Sequence, residues 1–186
     1  PTYTSGTANG VLYLNGSKAV TSGSALVFDG TNLGIGASSP AYKLDLQGSA
    51  AQARLQSVSA GSNAELIFQS TARTWGIGTN IGTSTSFEIY DRTAGATRLL
   101  IDSSGNLGLG VTPSAWSSGK VLEIGNAGNA IWGNSTANFY LTENAYYNSG
   151  WKYASANGAA AYQMLTNSHA WSVDRKSTRL NSSHIT

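Results

Sequence analysis

A strand–turn–strand pattern that occurs twice is the feature that most constrains the fold of this chain. Residues 26–36 read LVFDGTNLGIG, and residues 99–110 read LLIDSSGNLGLG. In each copy an apolar run leads into Asp and small turn residues, and a second run alternates large apolar residues with glycine. A proline and a closing apolar run follow, 43–46 (KLDL) or 120–124 (KVLEI). The repetition predicts a repeat-built β structure.

The alternating glycines of the second run indicate that other backbone lies close to this strand. Glycine weakens a strand, so its presence at Gly34 and Gly108 indicates that another stretch of backbone approaches closely there. In a fibre, we expect that neighbouring backbone to belong to another chain.

The rest of the chain predicts short strands and little helix. Apolar and β-branched runs separated by glycine and small polar residues predict strands at 53–58, 64–69, 74–78 and 86–91. No stretch of the first 130 residues has an apolar stripe with helical spacing. Charged residues are only 11% of the chain, whereas 40% hydrophobic residues argue against disorder. We therefore expect an all-β, elongated, glycine-rich protein.

The C-terminal segment is interpreted as a technical artefact. Residues 174–186 read DRKSTRLNSSHIT, which looks like the translation of a short-read sequencing adaptor. Without it, the chain holds eight basic and eight acidic residues and has no net charge. A basic surface for nucleic acid is therefore not expected. The chain starts at Pro1 instead of Met, and we interpret it as a fragment.

The domain organisation follows from the repeats and from a shift in composition at residue 131. The segment from there to residue 173 supplies nine of the eighteen aromatic residues. We predict a first repeat of a shaft (1–48), a β-rich middle segment (49–98), a second repeat copy (99–130), an aromatic-rich β module (131–173) and the adaptor-like tail (174–186).

Several of these segments resemble tail fibre and tail spike proteins of tailed bacteriophages. Residues 10–16 (GVLYLNG), 28–36 and 106–110 carry the likeness, which extends over most of residues 10–173. Residues 144–153 (NAYYNSGWKY) and 169–171 resemble segments that follow such repeats.

The resemblance implies a homotrimeric appendage on the outside of the virion, synthesised in the host cytoplasm. Its expected partners are its own copies, other tail or baseplate proteins, and a glycan or protein of the host surface. Such fibres often end in an intramolecular chaperone, which no segment here matches.

The residues favour an oligomer independently, because short strands and hairpins are marginal alone in water. An intertwined trimer, a β-prism and a β-helix would each meet this demand, and the sequence does not choose among them.

No catalytic, cofactor or metal site is expected. Gly34 and Gly108 lie in Gly-X-Gly runs that lack the third glycine and following helix of a nucleotide site. The chain has no cysteine and only two histidines, His169 and His184, neither near acidic partners in the sequence. No apolar run is long enough for membrane insertion.

Glycan hydrolysis would require two acids flanking the bond to be cleaved. Glu88 with Asp91, or Glu123 with Glu143, are the candidate pairs, and solvated strand or turn carboxylates are the alternative interpretation. The recurring aspartates, Asp29 and Asp102, are expected to form turns.

The aromatic segment offers the best candidate for receptor or glycan contact. Tyr and Trp rings have flat apolar faces and polar edges suited to stacking on sugars or packing at interfaces. The candidates are Tyr146, Tyr147, Trp151 and Tyr153, and the alternative is packing in a trimer core or between modules.

Together these features predict a structural tail fibre protein that attaches to a host by binding, without turnover. A bacterial surface adhesin domain and a glycan-depolymerising tail spike remain the alternatives.

Overall fold

The structure, a computed structural model, describes residues 6–59, 61–82, 85–134, 138–165 and 168–174. These residues form seventeen short strands and no helix, which confirms the all-β prediction. The chain divides into two units, residues 1–54 and 55–186.

The strands of the first unit are β1 (Tyr13–Leu14), β2 (Val20–Thr21), β3 (Leu26–Phe28), β4 (Leu33–Ile35) and β5 (Leu44–Leu46). Those of the second are β6 (Ala64–Gln69), β7 (Thr74–Thr79), β8 (Phe87–Asp91), β9 (Ala96–Ile101), β10 (Leu107–Leu109), β11 (Lys120–Ile124), β12 (Ala130–Gly133), β13 (Phe139–Glu143), β14 (Ala145–Tyr147), β15 (Trp151–Tyr153), β16 (Ala159–Leu165) and β17 (Ser168–Asp174).

One ten-stranded sheet organises the second unit. Its order is β17-β16-β13-β12-β11-β10-β9-β8-β7-β6, and every neighbouring pair is antiparallel except β10 and β11. The β14–β15 hairpin stands apart from it. Strands from the predicted middle segment, second repeat and aromatic segment therefore all lie in this one sheet.

The two repeat copies fold in the same way. In the first unit, β3 is antiparallel to β4, and β4 is parallel to β5. In the second unit, β9, β10 and β11 reproduce this arrangement. The register is also the same, because Gly34 pairs with Val27 and Asp45 as Gly108 pairs with Leu100 and Glu123.

The turn inside each copy is built on its aspartate, as predicted. The Asp29 Oδ1 atom accepts hydrogen bonds from the backbone N–H groups of Thr31 (2.8 Å) and Asn32 (2.7 Å). Asp102 Oδ1 does the same for Ser104 and Asn106, both at 2.8 Å. The backbone N–H of Asn32, followed by that of Thr31, lowers the pKa of Asp29.

The glycine in the second strand of each copy is needed by the chain's own crossover to the parallel strand. A Cβ atom on Gly34 would lie 2.3 Å from the carbonyl oxygen of Ala37, and one on Gly108 would lie 2.0 Å from that of Val111. Both distances are far below van der Waals contact. The expectation of close backbone was correct, but assigning that backbone to another chain was wrong at these positions, since the nearest atoms belong to the crossover of the same chain.

Of the four additional strands predicted, three are confirmed as β6, β7 and β8. The fourth prediction, at 53–58, is wrong, because that segment forms no regular structure and leaves Leu55 and Val58 exposed. It has alternating character but pairs with no strand, and an unpaired strand has no stability of its own.

Candidate assembly and binding surfaces

A continuous apolar face runs across the ten-stranded sheet. Residues directly opposite one another on neighbouring strands share a face, so the pairing register identifies the residues that form this face. From β8 to β17, one row of such partners is Phe87, Ile101, Leu107, Leu122, Ile131, Leu141, Tyr162 and Trp171. A second row, from β6 to β11, is Leu66, Ile77, Ile89, Leu99, Leu109 and Ile124. We call these two rows and their neighbours on the same side the apolar face.

The apolar face is only partly covered by the described residues. Phe87, Ile101, Ile131 and Leu141 are 37–41% exposed, and Trp171, on the edge strand, is 74% exposed. The exposed side chains of this face amount to roughly 1,000 Å² when each large side chain is taken to present 150–250 Å². A typical monomer has no exposed apolar patch above about 600 Å², and a stable interface needs about 800 Å² from each partner.

The first repeat copy has a small version of the same face. Its rows are Leu26, Ile35 and Leu46, and Phe28, Leu33 and Leu44. Four of these six side chains are 37–57% exposed. Each unit therefore presents large apolar side chains from the same repeat positions.

Part of the opposite face of the large sheet, around β11 to β13, is covered by the chain itself. Trp132 is 2% exposed and lies at the centre of an aromatic cluster. Its ring centroid is 4.7 Å from that of Tyr140, 5.4 Å from Trp116, 5.6 Å from Tyr147 and 5.7 Å from Trp151. The crossover between β10 and β11 supplies Trp116, and the β14–β15 hairpin supplies Tyr147 and Trp151.

The four candidate receptor residues all lie on the two strands of this hairpin. Tyr146, Tyr147 and Trp151 pack against the buried cluster and remain partly exposed. Tyr153 donates a hydrogen bond from its hydroxyl to Asp174, which raises the pKa of that hydroxyl. Asp174 is the first residue of the adaptor-like segment. The structure thus brings three of the four rings together in one intramolecular cluster, and receptor contact by the four stays a prediction.

Glu123 binds the crossover of the second copy to the sheet through hydrogen bonds. Its side chain is completely buried. Oε1 accepts a hydrogen bond from the indole Nε1–H of Trp116 at 2.7 Å, and Oε2 accepts one from the backbone N–H of Ser114 at 3.1 Å. In the first copy, Asp45 accepts a bond from the backbone N–H of Ala41 at 2.9 Å. The repeat therefore includes an acidic residue in the parallel strand that binds the crossover backbone.

Glu88 is also completely buried and binds the loop before its own strand. Its carboxylate accepts hydrogen bonds from the backbone N–H of Gly82 at 3.0 Å, the hydroxyl of Ser86 at 2.5 Å and the hydroxyl of Thr97 at 2.9 Å. These bonds compensate for the loss of water around the charge.

Asp91 lies between two arginines. It forms ion pairs with Arg73 and Arg98, the second at 2.9 Å, and accepts a hydrogen bond from the backbone N–H of Ala94 at 3.0 Å. The hydrogen bond from Arg73 is the main reason why the pKa of Asp91 is far below its usual range. The arginines are about half exposed, whereas the carboxylate is fully buried.

Neither candidate acid pair forms an open site for a substrate. Glu88 and Asp91 are both completely buried by their hydrogen-bond partners. Glu123 and Glu143 lie on strands separated by β12, and on opposite faces, because Glu123 and Thr142 are in register with the same residue, Ala130. Two acids must flank one bond from the same cleft to hydrolyse it.

The remaining candidates gather no ligand set. His169 lies on β17 with its ring 5.8 Å from that of Tyr162, and His184 is outside the described residues. Over the described ranges, no three or more His, Asp or Glu side chains are grouped so as to hold a metal ion. The same part of the chain contains no helix with the length and apolarity to cross a membrane.

Exposed apolar strand faces are expected of a single chain with this sequence, but the sequence did not identify which residues form the apolar face, nor that carboxylates bind the crossovers. The signal for the face was present in the alternation of each strand. It gains meaning only when the register aligns residues such as Ile131 and Leu141. The signal for these carboxylates was the shared acidic residue in KLDL and KVLEI, Asp45 and Glu123, which the repeat comparison already aligned.

Comparison with known proteins does not assign this chain to a family. No protein-family model matches it, and no curated protein matches its sequence.

Proposed function

We propose that this chain is a structural segment of a bacteriophage tail fibre, which forms a homotrimer and attaches the virion to a host surface by binding, without turnover. The apolar face is the observation that carries the proposal. Its roughly 1,000 Å² of exposed apolar side chains exceeds what a monomer usually leaves in water and suits burial against further copies.

The architecture supports a shaft built from packed sheets. The repeat unit presents large apolar residues on one face and closes the other with its own crossover, so three copies can pack their apolar faces together around a common axis. All but one of the neighbouring pairs in the large sheet are antiparallel, which favours a β-prism over a parallel β-helix. The resemblance of residues 10–16, 28–36 and 106–110 to tail fibres points in the same direction.

The first test is the solution mass of the full chain, measured by light scattering after size-exclusion chromatography, with circular dichroism to verify β structure. We expect three times the chain mass of 19.3 kDa. Leu141→Glu, within the apolar face, should reduce the mass to that of a monomer. Val58→Glu is the matched control, because Val58 is 92% exposed in a segment outside the sheet.

A β-rich wild-type monomer would overturn the fibre proposal and favour an adhesin domain. Recovery of the complete gene with its neighbours separates the two further, since a fibre gene lies beside baseplate and lysis genes and an adhesin carries a secretion signal and a membrane anchor. Reducing ends released from bacterial polysaccharide would instead identify a depolymerising tail spike.

Attachment has its own test. Replacing Tyr146, Tyr147, Trp151 and Tyr153 together should abolish adsorption of a phage that carries this fibre, if these rings contact the receptor. Because three of them also pack in the aromatic cluster, the variant must first show the wild-type mass and β structure. Normal adsorption by such a folded variant would place receptor contact elsewhere.

A further inference from the structure

Three loops at one end of the large sheet line an open groove of about 390 Å³. They are the β11–β12 turn, the β13–β14 junction and the β15–β16 loop. The polar side chains around the groove belong to Asn126, Asn129, Glu143, Asn144, Ser155 and Asn157, and two alanines also line it. The volume falls within the range of roughly 300–1,000 Å³ that is typical of small-ligand sites.

Asn144 ties the three loops together. It is buried, and its side-chain amide donates hydrogen bonds to the carbonyl oxygens of Asn157 (2.8 Å) and Gly158 (3.0 Å). Its backbone N–H donates to Oδ1 of Asn129 at 3.0 Å, and its carbonyl accepts from Ala154 at 3.0 Å. A groove whose floor is held in this way loses little conformational entropy when a ligand binds.

Close packing around Gly128 fixes the same floor. This residue has a φ of +80°, and a Cβ atom there would lie 2.6 Å from the backbone nitrogen of Ala145 and 2.7 Å from the Cβ of Ala154. Its carbonyl oxygen accepts hydrogen bonds from Ala145 N–H at 3.1 Å and from the Thr142 hydroxyl at 2.9 Å. Backbone of one loop therefore lies directly against the other two.

The rim of the groove is polar and exposed. Asn126, Glu143, Ser155 and Asn157 are all exposed to solvent. An asparagine amide offers both donors and an acceptor, which is what a pair of neighbouring sugar hydroxyls requires. A calcium ion would demand six to eight oxygen ligands with several carboxylates, and Glu143 is the one acidic residue lining the groove.

We propose that this groove binds a neutral or N-acetylated saccharide through the side chains of Asn126, Asn157 and Glu143. The single carboxylate disfavours an anionic sugar and accepts hydrogen bonds from hydroxyls of a neutral one. The inference rests on the proposed attachment function, because it names a surface and a ligand class through which a fibre would attach. It is separate from the four aromatic candidates.

Saturation-transfer NMR on the full chain tests the inference, with methyl glucoside, methyl galactoside, N-acetylglucosamine and glucuronic acid as probes. We expect transfer to at least one neutral or N-acetylated sugar and none to glucuronic acid. Asn126→Ala with Asn157→Ala should weaken binding by about tenfold or more, since two hydrogen-bonding amides are lost. The described hydrogen bonds of both residues are made by their backbone atoms, so the fold should be unchanged.

Asn148→Ala, at the tip of the β14–β15 hairpin and outside the groove, is the matched control and should bind as the wild type does. Absence of transfer to every neutral sugar, or equal binding by the double variant and the control, would overturn the inference. The inference would also be overturned if the chain bound calcium, added as calcium chloride, and bound none of the sugars. If the chain binds a sugar but is a monomer, the inference about the groove stands and the fibre proposal fails. The two proposals can therefore fail separately.

Discussion

Replacing Gly108 by alanine should destabilise the large sheet because the crossover backbone occupies the space of the new methyl group. The added Cβ would lie 2.0 Å from the carbonyl oxygen of Val111 and 3.0 Å from Cδ of Pro113. Neither atom belongs to a flexible side chain, so either β10 or the crossover must move by more than 1 Å to restore normal contact, a displacement on the scale at which overpacking becomes costly.

The magnitude follows from what that movement disturbs. Overpacking of this kind costs about 2–3 kcal/mol, and the crossover also positions Trp116 and its hydrogen bond to Glu123. A domain of ordinary stability has about 5–15 kcal/mol in total. The thermal midpoint of a unit of this size should therefore fall by roughly 5–10 °C.

Gly133 provides a matched control in the same sheet. It lies at the end of β12, and a Cβ atom there would meet no atom within 4 Å. Gly133→Ala should be neutral or stabilising by about 0.4–1 kcal/mol, because alanine restricts the unfolded chain more than glycine does.

Thermal unfolding of both variants and the wild type, followed by circular dichroism at one protein concentration, measures the difference. A Gly108→Ala midpoint within a degree of the wild type would refute the steric argument. A lower oligomer mass with unchanged unfolding of the monomer would instead show that Gly108 serves contact with another chain.

Two further predictions concern the buried carboxylates. Glu123→Gln should cost about 1–3 kcal/mol, because an amide offers one acceptor oxygen where a backbone N–H and the Trp116 indole require two. Trp116 fluorescence and the thermal midpoint measure this loss of stability. The control Glu143→Gln, at an exposed position, should behave as the wild type. Equal losses of stability in the two variants would contradict the argument. The pKa of Asp91 is lowered in the folded protein, mainly by Arg73, so its contribution to stability is present above the unfolded pKa of about 3.9 and is lost as pH falls through the lower folded value. Asp91→Asn should therefore flatten the loss of thermal midpoint below about pH 4, and parallel acid profiles for the variant and the wild type would refute this origin.

The fold class was predictable because its signals are local. Asp, Gly and Asn mark the turns at Asp29 and Asp102, and period-two alternation marks the strands of both repeat copies. The failure at 53–58 has the same physical basis, because alternation describes a strand's faces and says nothing about whether a partner pairs with its edges.

The surfaces were less predictable because they depend on long-range pairing. Trp116 and Trp132 are 16 positions apart in the sequence, yet their ring centroids lie 5.4 Å apart once the crossover has folded back. Sequence reasoning also assigned the backbone close to Gly34 to another chain. A glycine indicates that a backbone approaches closely, but it does not indicate which backbone this is. The groove depends on three loops that only the sheet order brings to one end.

The two faces of the large sheet explain why the repeat combines an acid, a glycine and large apolar residues. On one face, Gly108 leaves room for the crossover and Glu123 binds its backbone, so the crossover covers this part of the face. On the other face, the register places Leu109 beside Leu99 and Ile124. The crossover covers its own part of the sheet, so the large apolar side chains left exposed beside it lie on the other face. In the proposed fibre, copies would therefore pack through the apolar face, side by side around an axis.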